Sequence, residues 1–399
     1  MKPRVTTLVV LLLAGCHAGI PGPVSSGVPV AAPASLGFDS TRLAAVVRYL
    51  EAEVDSAAFP GAVIAVGRHG RLALIAPVGR YSVTDHRPVD SATIYDLASM
   101  TKVVALTTAC MLLVDQGTLA LDAPVDRYVP AFRGANKERV TVRDLLTHSS
   151  GLPAWRPLYR ESASRAEALA LVDTTALERP PGERFVYSDL GAIVLMQVVE
   201  NLTREPLDQF VSARVFGPLG MPATRYLPPP SWHERIAPTE NDTAFRHRML
   251  RGEVHDENAG RLDGVSGHAG LFSNALDLSR FAAMLLNGGS WDTLQLIRSE
   301  TVAEFTRRQD LPVGSSRALG WDTPDEPRDS GSSAGMALSA RSFGHTGFTG
   351  TSLWMDPDRD VFIILLTNRV NPTRANNAIR RVRPHVADLV VAALVHPEL

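Results

Sequence analysis

The sequence predicts a fold of the α/β (α+β) class, in which an antiparallel sheet flanked by helices is built from both chain ends around an inserted, mainly helical lobe. Strand patterns occur near residues 61–78 and again near residues 351–367, while helical patterns dominate the segment between them. Strands at both ends with helices inserted between them indicate one sheet made from distant segments. The groove between sheet and lobe is then the expected functional site.

Composition narrows the classes of function. The chain has 399 residues, 45% of them hydrophobic, which is enough for one large globular domain. Its net charge is -2 and it has no basic run, so a nucleic-acid partner is not expected. Small molecules and peptides remain as substrates, and the sequence does not indicate an oligomeric state.

The first 36 residues indicate export and anchoring. Two cationic residues precede an apolar run from Val5 to Leu13, the pattern of a secretory signal peptide over residues 1–15. The run Leu13-Ala14-Gly15-Cys16 resembles the lipobox of bacterial lipoproteins, in which the cysteine becomes the lipidated N-terminus. Residues 16–36, rich in Gly, Pro, Ala and Ser, are expected to form a flexible tether.

We therefore expect a protein that is secreted across the inner membrane and lipid-anchored on the periplasmic side. His17 stands after Cys16 where an Asp would mark retention at the inner membrane, so the outer membrane is favoured. If Cys16 carries lipid, Cys110 has no disulfide partner, because the chain has only 2 cysteines.

The folded domain is predicted over residues 37–395, and each element has its own pattern. Asp39 or Ser40 can cap a first helix, and runs of apolar and β-branched residues around a glycine turn indicate a hairpin. Residues 324–342 are expected to form an exposed loop. In chain order the predicted elements are a helix to about Val54, strands Gly61–Gly67 and Arg71–Val78, a buried helix Met100–Val114 closed at Gly117, a helical lobe over about 96–260 with a capped turn at Thr141–Asp144 and a helix Gly191–Leu202, strands Thr351–Met355 and Val361–Thr367, and a helix from about Asn376 to Val395.

A hydroxyl and an amine share one helical face at Ser99 and Lys102, which stand at positions i and i+3. An amine there can take the serine proton if burial lowers its pKa. The pair alone is a weak signal. Lysine usage strengthens it, since only Lys2, Lys102 and Lys137 are lysines among 40 cationic residues, and only lysine can give up its proton.

Two further motifs accompany this pair, Tyr187-Ser188-Asp189 and His345-Thr346-Gly347. Together and in this order they resemble the three active-site motifs of the penicillin-recognising serine hydrolases, which include class C β-lactamases, DD-peptidases and related esterases. The resemblance covers about residues 40–390 and includes the segments Leu145–Pro153 and Gly267–Ser273.

The resemblance implies a β-lactamase-like fold and a role for each residue. Ser99 would be the nucleophile, Lys102 would hold or take its proton, and Tyr187 would relay the proton to the leaving group. The backbone N–H groups of Ser99 and Phe348 would form the oxyanion hole. His345 and Thr346 would bind a substrate carboxylate or relay protons. Gly347, which precedes Phe348, would also belong to the substrate-binding segment. No cofactor or metal is implied.

Two positions depart from the commonest pattern of the family. Class C β-lactamases usually have lysine where His345 stands, and a histidine is charged only part of the time near neutral pH. This departure favours peptides and esters over β-lactam drugs. Asp189 replaces a more frequent asparagine, and a carboxylate near Lys102 would favour the ammonium and shift the role of base toward Tyr187.

Other polar residues are expected to have structural roles. The row His255-Asp256-Glu257-Asn258 matches no metal-binding spacing and is predicted to lie in a loop at the rim of the groove. His148 and His268, beside glycine-containing turns, are expected to bond backbone rather than substrate.

The leading prediction is a serine hydrolase that forms an acyl-enzyme on Ser99 and acts on D-alanine peptides of the cell wall or on small esters. A β-lactamase is the alternative within enzymes. A penicillin-binding sensor without turnover is the alternative outside them, because a fold does not guarantee an activity.

Overall fold

The protein is described here by a computed structural model over residues 27–328 and 332–396. Within these ranges it has the following strands: β1 (Gly61–Arg68), β2 (Arg71–Gly79), β3 (Tyr95–Asp96), β4 (Arg225–Tyr226), β5 (Asn241–Asp242), β6 (Arg248–Met249), β7 (Leu271–Ser273), β8 (Ser290–Trp291), β9 (Leu294–Gln295), β10 (Phe343–Thr346), β11 (Ser352–Asp356) and β12 (Val361–Thr367). The α-helices are α1 (Ser40–Asp55), α2 (Thr108–Asp115), α3 (Val142–Leu146), α4 (Leu158–Glu161), α5 (Arg165–Thr174), α6 (Asp189–Thr203), α7 (Leu207–Val211), α8 (Glu257–Arg261), α9 (Ala275–Leu286), α10 (Ser299–Thr306) and α11 (Ile379–Ala392).

The main sheet has five antiparallel strands in the order β10-β11-β12-β1-β2. Strand β1 pairs with β12 from Ala62 opposite Thr367 to Arg68 opposite Val361, so the two ends of the chain meet at the centre of the sheet. The predicted fold class is therefore confirmed.

Two hydrophobic cores lie on the two faces of this sheet. In β1, Val63 and Ala65 pack into one core, whereas Ala62, Ile64 and Val66 pack into the other. Alternate side chains of a strand point to opposite faces, so a strand buried on both faces is a continuous apolar run. Helices α1 and α11 cover one face, and α9 and the helical lobe cover the other.

Caps explain where two helices begin. The carboxylate of Asp39 accepts the N–H groups of Thr41 and Arg42 at 2.8 and 2.9 Å, so Asp39 caps α1. Thr141 and Asp144 form the capping box predicted for α3, with each side chain bonded to the backbone of the other.

The predicted buried helix runs over Ala98–Asp115 in three geometries: a 3₁₀ turn Ala98–Met100, a π-helical segment Lys102–Thr107, and α2. Its length and its mean hydropathy of 1.4 would suit a membrane span, but 83% of it is buried inside the protein, so it is a core helix. Gly117, with a φ of 72°, follows its end in the left-handed region that glycine adopts without strain.

The structure corrects three predictions. The expected tether over 16–36 is too long, because Leu36 is buried in a core and Ala31 N–H bonds Leu72 O at 2.9 Å. The expected exposed loop over 324–342 contains buried Ala334 and Leu338, which pack against the α1–α11 core. Strand β10 was not predicted, and the mainly helical lobe contains the short strands β4, β5 and β6.

The signal peptide, Cys16 and the first part of the tether lie outside the described residues. Cys110 is a free, buried thiol, and burial raises its pKa.

Candidate active site

Ser99 lies in the 3₁₀ turn that begins the core helix shortly after β3. The preceding residue, Ala98, has a φ of 46°, which is unusual for a residue with a Cβ. The carboxylate of Asp96 accepts the Ala98 N–H at 2.8 Å and holds this turn in place. Ser99 itself is partly exposed, so its hydroxyl can meet a substrate.

Lys102 lies one turn later with 3% of its surface exposed. Its Nζ donates to Ser99 Oγ at 3.1 Å and to the carbonyl oxygen of His268 at 3.2 Å. Its Nζ also lies 2.7 Å from Oδ1 of Asp189. Two hydrogen-bond acceptors and one carboxylate in ion-pair contact therefore surround Nζ of Lys102.

The charge of Lys102 depends on two opposing effects. Burial disfavours the ammonium, but the adjacent Asp189 carboxylate and the Tyr187 side chain outweigh burial and raise the pKa of Lys102 above its usual value. Lys102 is therefore protonated in the resting site.

Tyr187 lies against this ammonium, with Nζ of Lys102 4.7 Å from the centre of its ring. The ring of His148 also lies beside Tyr187, with the ring centroids 4.6 Å apart. Nδ1 of His148 accepts the Ser188 N–H at 3.1 Å, which confirms the predicted backbone bond. Burial and the neighbouring cations lower the pKa of His148 well below its usual value, so this ring is neutral.

His345 lies in β10 and is 2% exposed. Its Nδ1 donates to the carbonyl oxygen of Thr346 at 2.8 Å, which leaves Nε2 as a buried acceptor without a partner among the described residues. Burial, Arg317 and Lys102 lower the pKa of His345 well below its usual value. The ring is neutral, in contrast to the partial charge that the sequence suggests.

The turn after β10 brings Gly347 and Phe348 beside the Ser99 turn. Thr349 Oγ1 donates to Asp96 O at 2.7 Å, and Thr351 Oγ1 donates to Leu97 O at 3.0 Å. A Cβ on Gly347 would collide with Thr351 and with Leu97 O, so only glycine fits this approach. Within the part of the chain that is described, the N–H groups of Ser99 and Phe348 have no acceptor.

Arg317 is a site residue that the sequence analysis missed. It is 3% exposed, forms an ion pair with Asp322, and has its guanidinium 6.0 Å from the centre of the Tyr187 ring. Burial lowers the pKa of Arg317 to about 10. No spacing or motif marks this arginine, because it reaches the site from a loop before β10.

Among the described residues, no group of three or more His, Cys, Asp or Glu side chains is arranged to hold a metal ion. Each side chain of the polar row at 255–258 has a protein partner. It is not a rim loop either, since His255 is 3% exposed. His268 bonds side chains rather than backbone: its ring contacts Asp256 at 2.9 Å and Ser266 at 2.7 Å, so that prediction was wrong. A separate cavity of about 650 Å³, lined by residues including Tyr226 and Arg280, includes none of the predicted site residues.

Comparisons with known proteins agree with this fold. The family model described as beta-lactamase matches residues 46–387. A Salmonella schwarzengrund protein provisionally named D-alanyl-D-alanine carboxypeptidase is 32% identical over 399 residues, covering 89% of this chain and 88% of that protein.

Solved structures show the same fold at lower identity. A penicillin-binding protein homologue from Caulobacter crescentus is 22% identical with a TM-score of 0.71, covering 90% of this chain and 99% of that one. EstCE1, a hydrolase with promiscuous acyltransferase activity, is 22% identical with a TM-score of 0.70, covering 88% of this chain and 98% of that one. The chain therefore belongs to the beta-lactamase family and is a hydrolase.

Proposed function

We propose that this hydrolase works through an acyl-enzyme on Ser99 and acts on D-alanine peptides of the cell wall or on small esters. The observation that carries the proposal is the contact of 3.1 Å between Lys102 Nζ and Ser99 Oγ inside a buried, carboxylate-paired site. This contact distinguishes Lys102 from a surface lysine, which would contact only solvent or a surface carboxylate and no serine hydroxyl.

The raised pKa of Lys102 favours Tyr187 over Lys102 as the group that accepts the serine proton. Because Lys102 donates to Ser99 Oγ and its pKa is raised, it has no free lone pair to take the serine proton. The hydroxyl hydrogen of Ser99 must therefore go to another acceptor. Tyr187 is the ionisable side chain that lies against Lys102 and can act as that acceptor.

The reaction then has two halves. Ser99 Oγ attacks the substrate carbonyl carbon as its proton passes to the Tyr187 hydroxyl oxygen, while the Tyr187 hydroxyl hydrogen passes to the leaving group, which departs with it. A water molecule then attacks the acyl carbon as one of its protons passes to the Tyr187 hydroxyl oxygen, and the Tyr187 hydroxyl hydrogen passes to Ser99 Oγ as the acid product leaves. Lys102 stays an ammonium throughout and stabilises the negative charge that develops on the oxygens beside it.

The negative oxygen of each tetrahedral intermediate would be bound by the N–H groups of Ser99 and Phe348. Both groups lack acceptors in the described structure, and Thr349 and Thr351 tie their two turns together. Free donors in a fixed place are what an oxyanion hole requires.

His345 supports the choice of substrate. A neutral ring with a free Nε2 acceptor offers no permanent cation to the carboxylate of a β-lactam, and it suits a proton relay with Thr346 at the neighbouring position. The name of the Salmonella relative supports D-alanyl peptides as substrates. β-Lactam hydrolysis remains the alternative.

We further propose that the enzyme is a lipoprotein held through Cys16 at the periplasmic side of a bacterial membrane, with the outer membrane favoured. The lipobox-like run before Cys16 supports this. Labelling with radioactive palmitate tests it, and label retained by Cys16→Ser would contradict it.

The experiment for the activity compares hydrolysis of p-nitrophenyl acetate, a peptide ending in D-alanyl-D-alanine, and nitrocefin. We expect turnover of the ester or the peptide, weak turnover of nitrocefin, and none by Ser99→Ala. Fast nitrocefin hydrolysis would favour the β-lactamase. Absence of all turnover, with Ser99 still labelled by a fluorophosphonate, would favour the sensor.

A further inference from the structure

His255 belongs to the polar row that neither metal binding nor the proposed proton transfers use. Its ring is stacked on the ring of Phe348, with centroids 5.6 Å apart and planes 27° from parallel. Nε2 of His255 contacts the Glu240 carboxylate at 2.8 Å, and Glu240 also pairs with Arg374. The contact with Glu240 therefore fixes the imidazole in addition to its stacking on Phe348.

Phe348 is held by a second group. Arg369 donates from Nε to the carbonyl oxygen of Phe348 at 2.7 Å, and its guanidinium lies 4.4 Å from the centre of the Phe348 ring. The ring nevertheless keeps 49% of its surface exposed. Without these contacts the half-exposed Phe348 would be free to change its backbone conformation, and with it the direction of the N–H proposed for the oxyanion hole.

Asp96 connects His255 to the nucleophile. One carboxylate oxygen accepts the backbone N–H of Ala98 at 2.8 Å, and the other accepts the backbone N–H of His255 at 2.7 Å. The carbonyl oxygen of Asp96 accepts the Thr349 hydroxyl at 2.7 Å. A single residue that is 1% exposed thus bonds the Ser99 turn, the His255 segment and the Phe348 turn.

We propose that Asp96 and His255 are positioning residues that fix the N–H of Phe348 relative to the N–H of Ser99, so that both donors meet one oxyanion. This inference rests on the proposed acyl-enzyme function. Asp96 sets the spacing between the two turns, and His255 fixes the orientation of Phe348 through the stacked ring. Neither residue touches the substrate.

The test uses the full chain and a transition-state analogue, phenylboronic acid. Its boron accepts an electron pair from Ser99 Oγ while the hydroxyl proton passes to water, which gives a tetrahedral anion with one boron-bound oxygen in the proposed oxyanion hole. Asp96→Asn keeps the shape of the side chain but replaces one acceptor by an NH₂ group. His255→Ala removes the stacked ring, and His255→Phe retains a ring without the bond to Glu240.

We expect Asp96→Asn and His255→Ala to lower kcat for p-nitrophenyl acetate by about tenfold or more, since oxyanion donors contribute about 10²–10³-fold. The inhibition constant of phenylboronic acid should rise by a similar factor, KM should stay within about twofold, and His255→Phe should recover most of the loss.

Asp356→Asn is the matched control, because Asp356 is a fully buried carboxylate that accepts the N–H groups of Ser339 and Asp358 at the far end of β11. It should lower the melting temperature and leave kcat unchanged.

Three results would overturn the inference: unchanged kcat in both variants, a loss of kcat with unchanged boronate affinity, or no recovery in His255→Phe. If Ser99→Ala retained esterase activity, the proposed function would fail as well, which separates that outcome from the other three.

Discussion

Two lysines are buried among the residues that the structure describes, and their surroundings can be compared directly. Lys102 and Lys137 are 3% and 1% exposed. Each has an aromatic ring beside its Nζ, that of Tyr187 at 4.7 Å for Lys102 and that of Phe132 at 4.9 Å for Lys137. Each also donates to a backbone carbonyl oxygen. The two lysines are therefore alike in their low exposure, their aromatic neighbour and their backbone acceptor.

The partners of the two Nζ atoms differ. Lys102 contacts a carboxylate and a serine hydroxyl, whereas the hydrogen bond of Lys137 goes to the carbonyl oxygen of Asp173 at 2.5 Å. Burial lowers the pKa of Lys137, while Asp189 keeps the pKa of Lys102 raised despite burial. The comparison teaches that a buried lysine in a chain with few lysines need not take part in catalysis. The groups that contact its Nζ distinguish a candidate catalytic lysine from a structural one.

The largest expected effect comes from replacing each lysine by methionine, which keeps the length of the side chain and removes the charge. Lys102→Met should lower kcat for p-nitrophenyl acetate by about 10²–10⁴-fold, the usual contribution of proton-transfer machinery. Lys137→Met should leave kcat within about twofold. Similar losses in both variants would contradict the comparison.

Tyr187→Phe makes the aromatic neighbour of Lys102 equivalent to that of Lys137, because only the hydroxyl is removed. We expect kcat to fall by about 10²-fold, since the proposed base is lost. The melting temperature should change little because the ring still packs against His148. Retention of full activity would show that another group takes the Ser99 proton.

Asp189→Asn removes the carboxylate that distinguishes Lys102 from Lys137. Burial then dominates and the pKa of Lys102 should fall. Because the active form carries the ammonium, the alkaline limb of the profile of kcat/KM against pH should move to lower pH, with a loss on the order of tenfold near pH 9. A profile identical to that of the wild type would rule out this role for Asp189.

The smallest effect is on stability at high pH, and the two lysines should give opposite signs. The folded protein binds its Lys137 proton less tightly than the unfolded chain does, so stability relative to Lys137→Met should rise as the pH approaches 10.5. It binds its Lys102 proton more tightly, so stability relative to Lys102→Met should fall as the pH rises above 10.5. Urea unfolding between pH 8 and 12 measures both, and equal signs would contradict the pKa assignments.

Local patterns predicted much of the fold. The cap at Asp39, the box at Thr141 and Asp144, and the apolar run of β1 each depend on residues a few positions apart, so the sequence contains the whole signal. Strand β10 escaped prediction because its four residues include Gly344 and have no alternating pattern. It is a strand because it pairs with β11, from Phe343 opposite Met355 to Thr346 opposite Ser352.

The site was predictable only where a motif carries it. Ser99, Lys102, Tyr187 and His345 were selected by the resemblance, and the structure brings them together. Their catalytic roles stay predictions. Lysine scarcity was a weaker guide than it looked, since Lys137 is buried too.

The supporting residues could not be predicted, because their contacts join distant parts of the chain. Asp96 and His255 are 159 positions apart, and the Asp96 carbonyl bonds a threonine 253 positions away. Arg317 reaches Tyr187 from a loop with no recognisable motif. Packing in three dimensions creates these pairs, and single-sequence patterns do not encode it.

The most direct test of the central claim is mass spectrometry of the intact protein after incubation with penicillin and, separately, with an activated ester. The account predicts an acyl adduct on the peptide that contains Ser99, present in Lys137→Met and absent in Ser99→Ala. An adduct on another residue, or an unchanged adduct in Ser99→Ala, would contradict it.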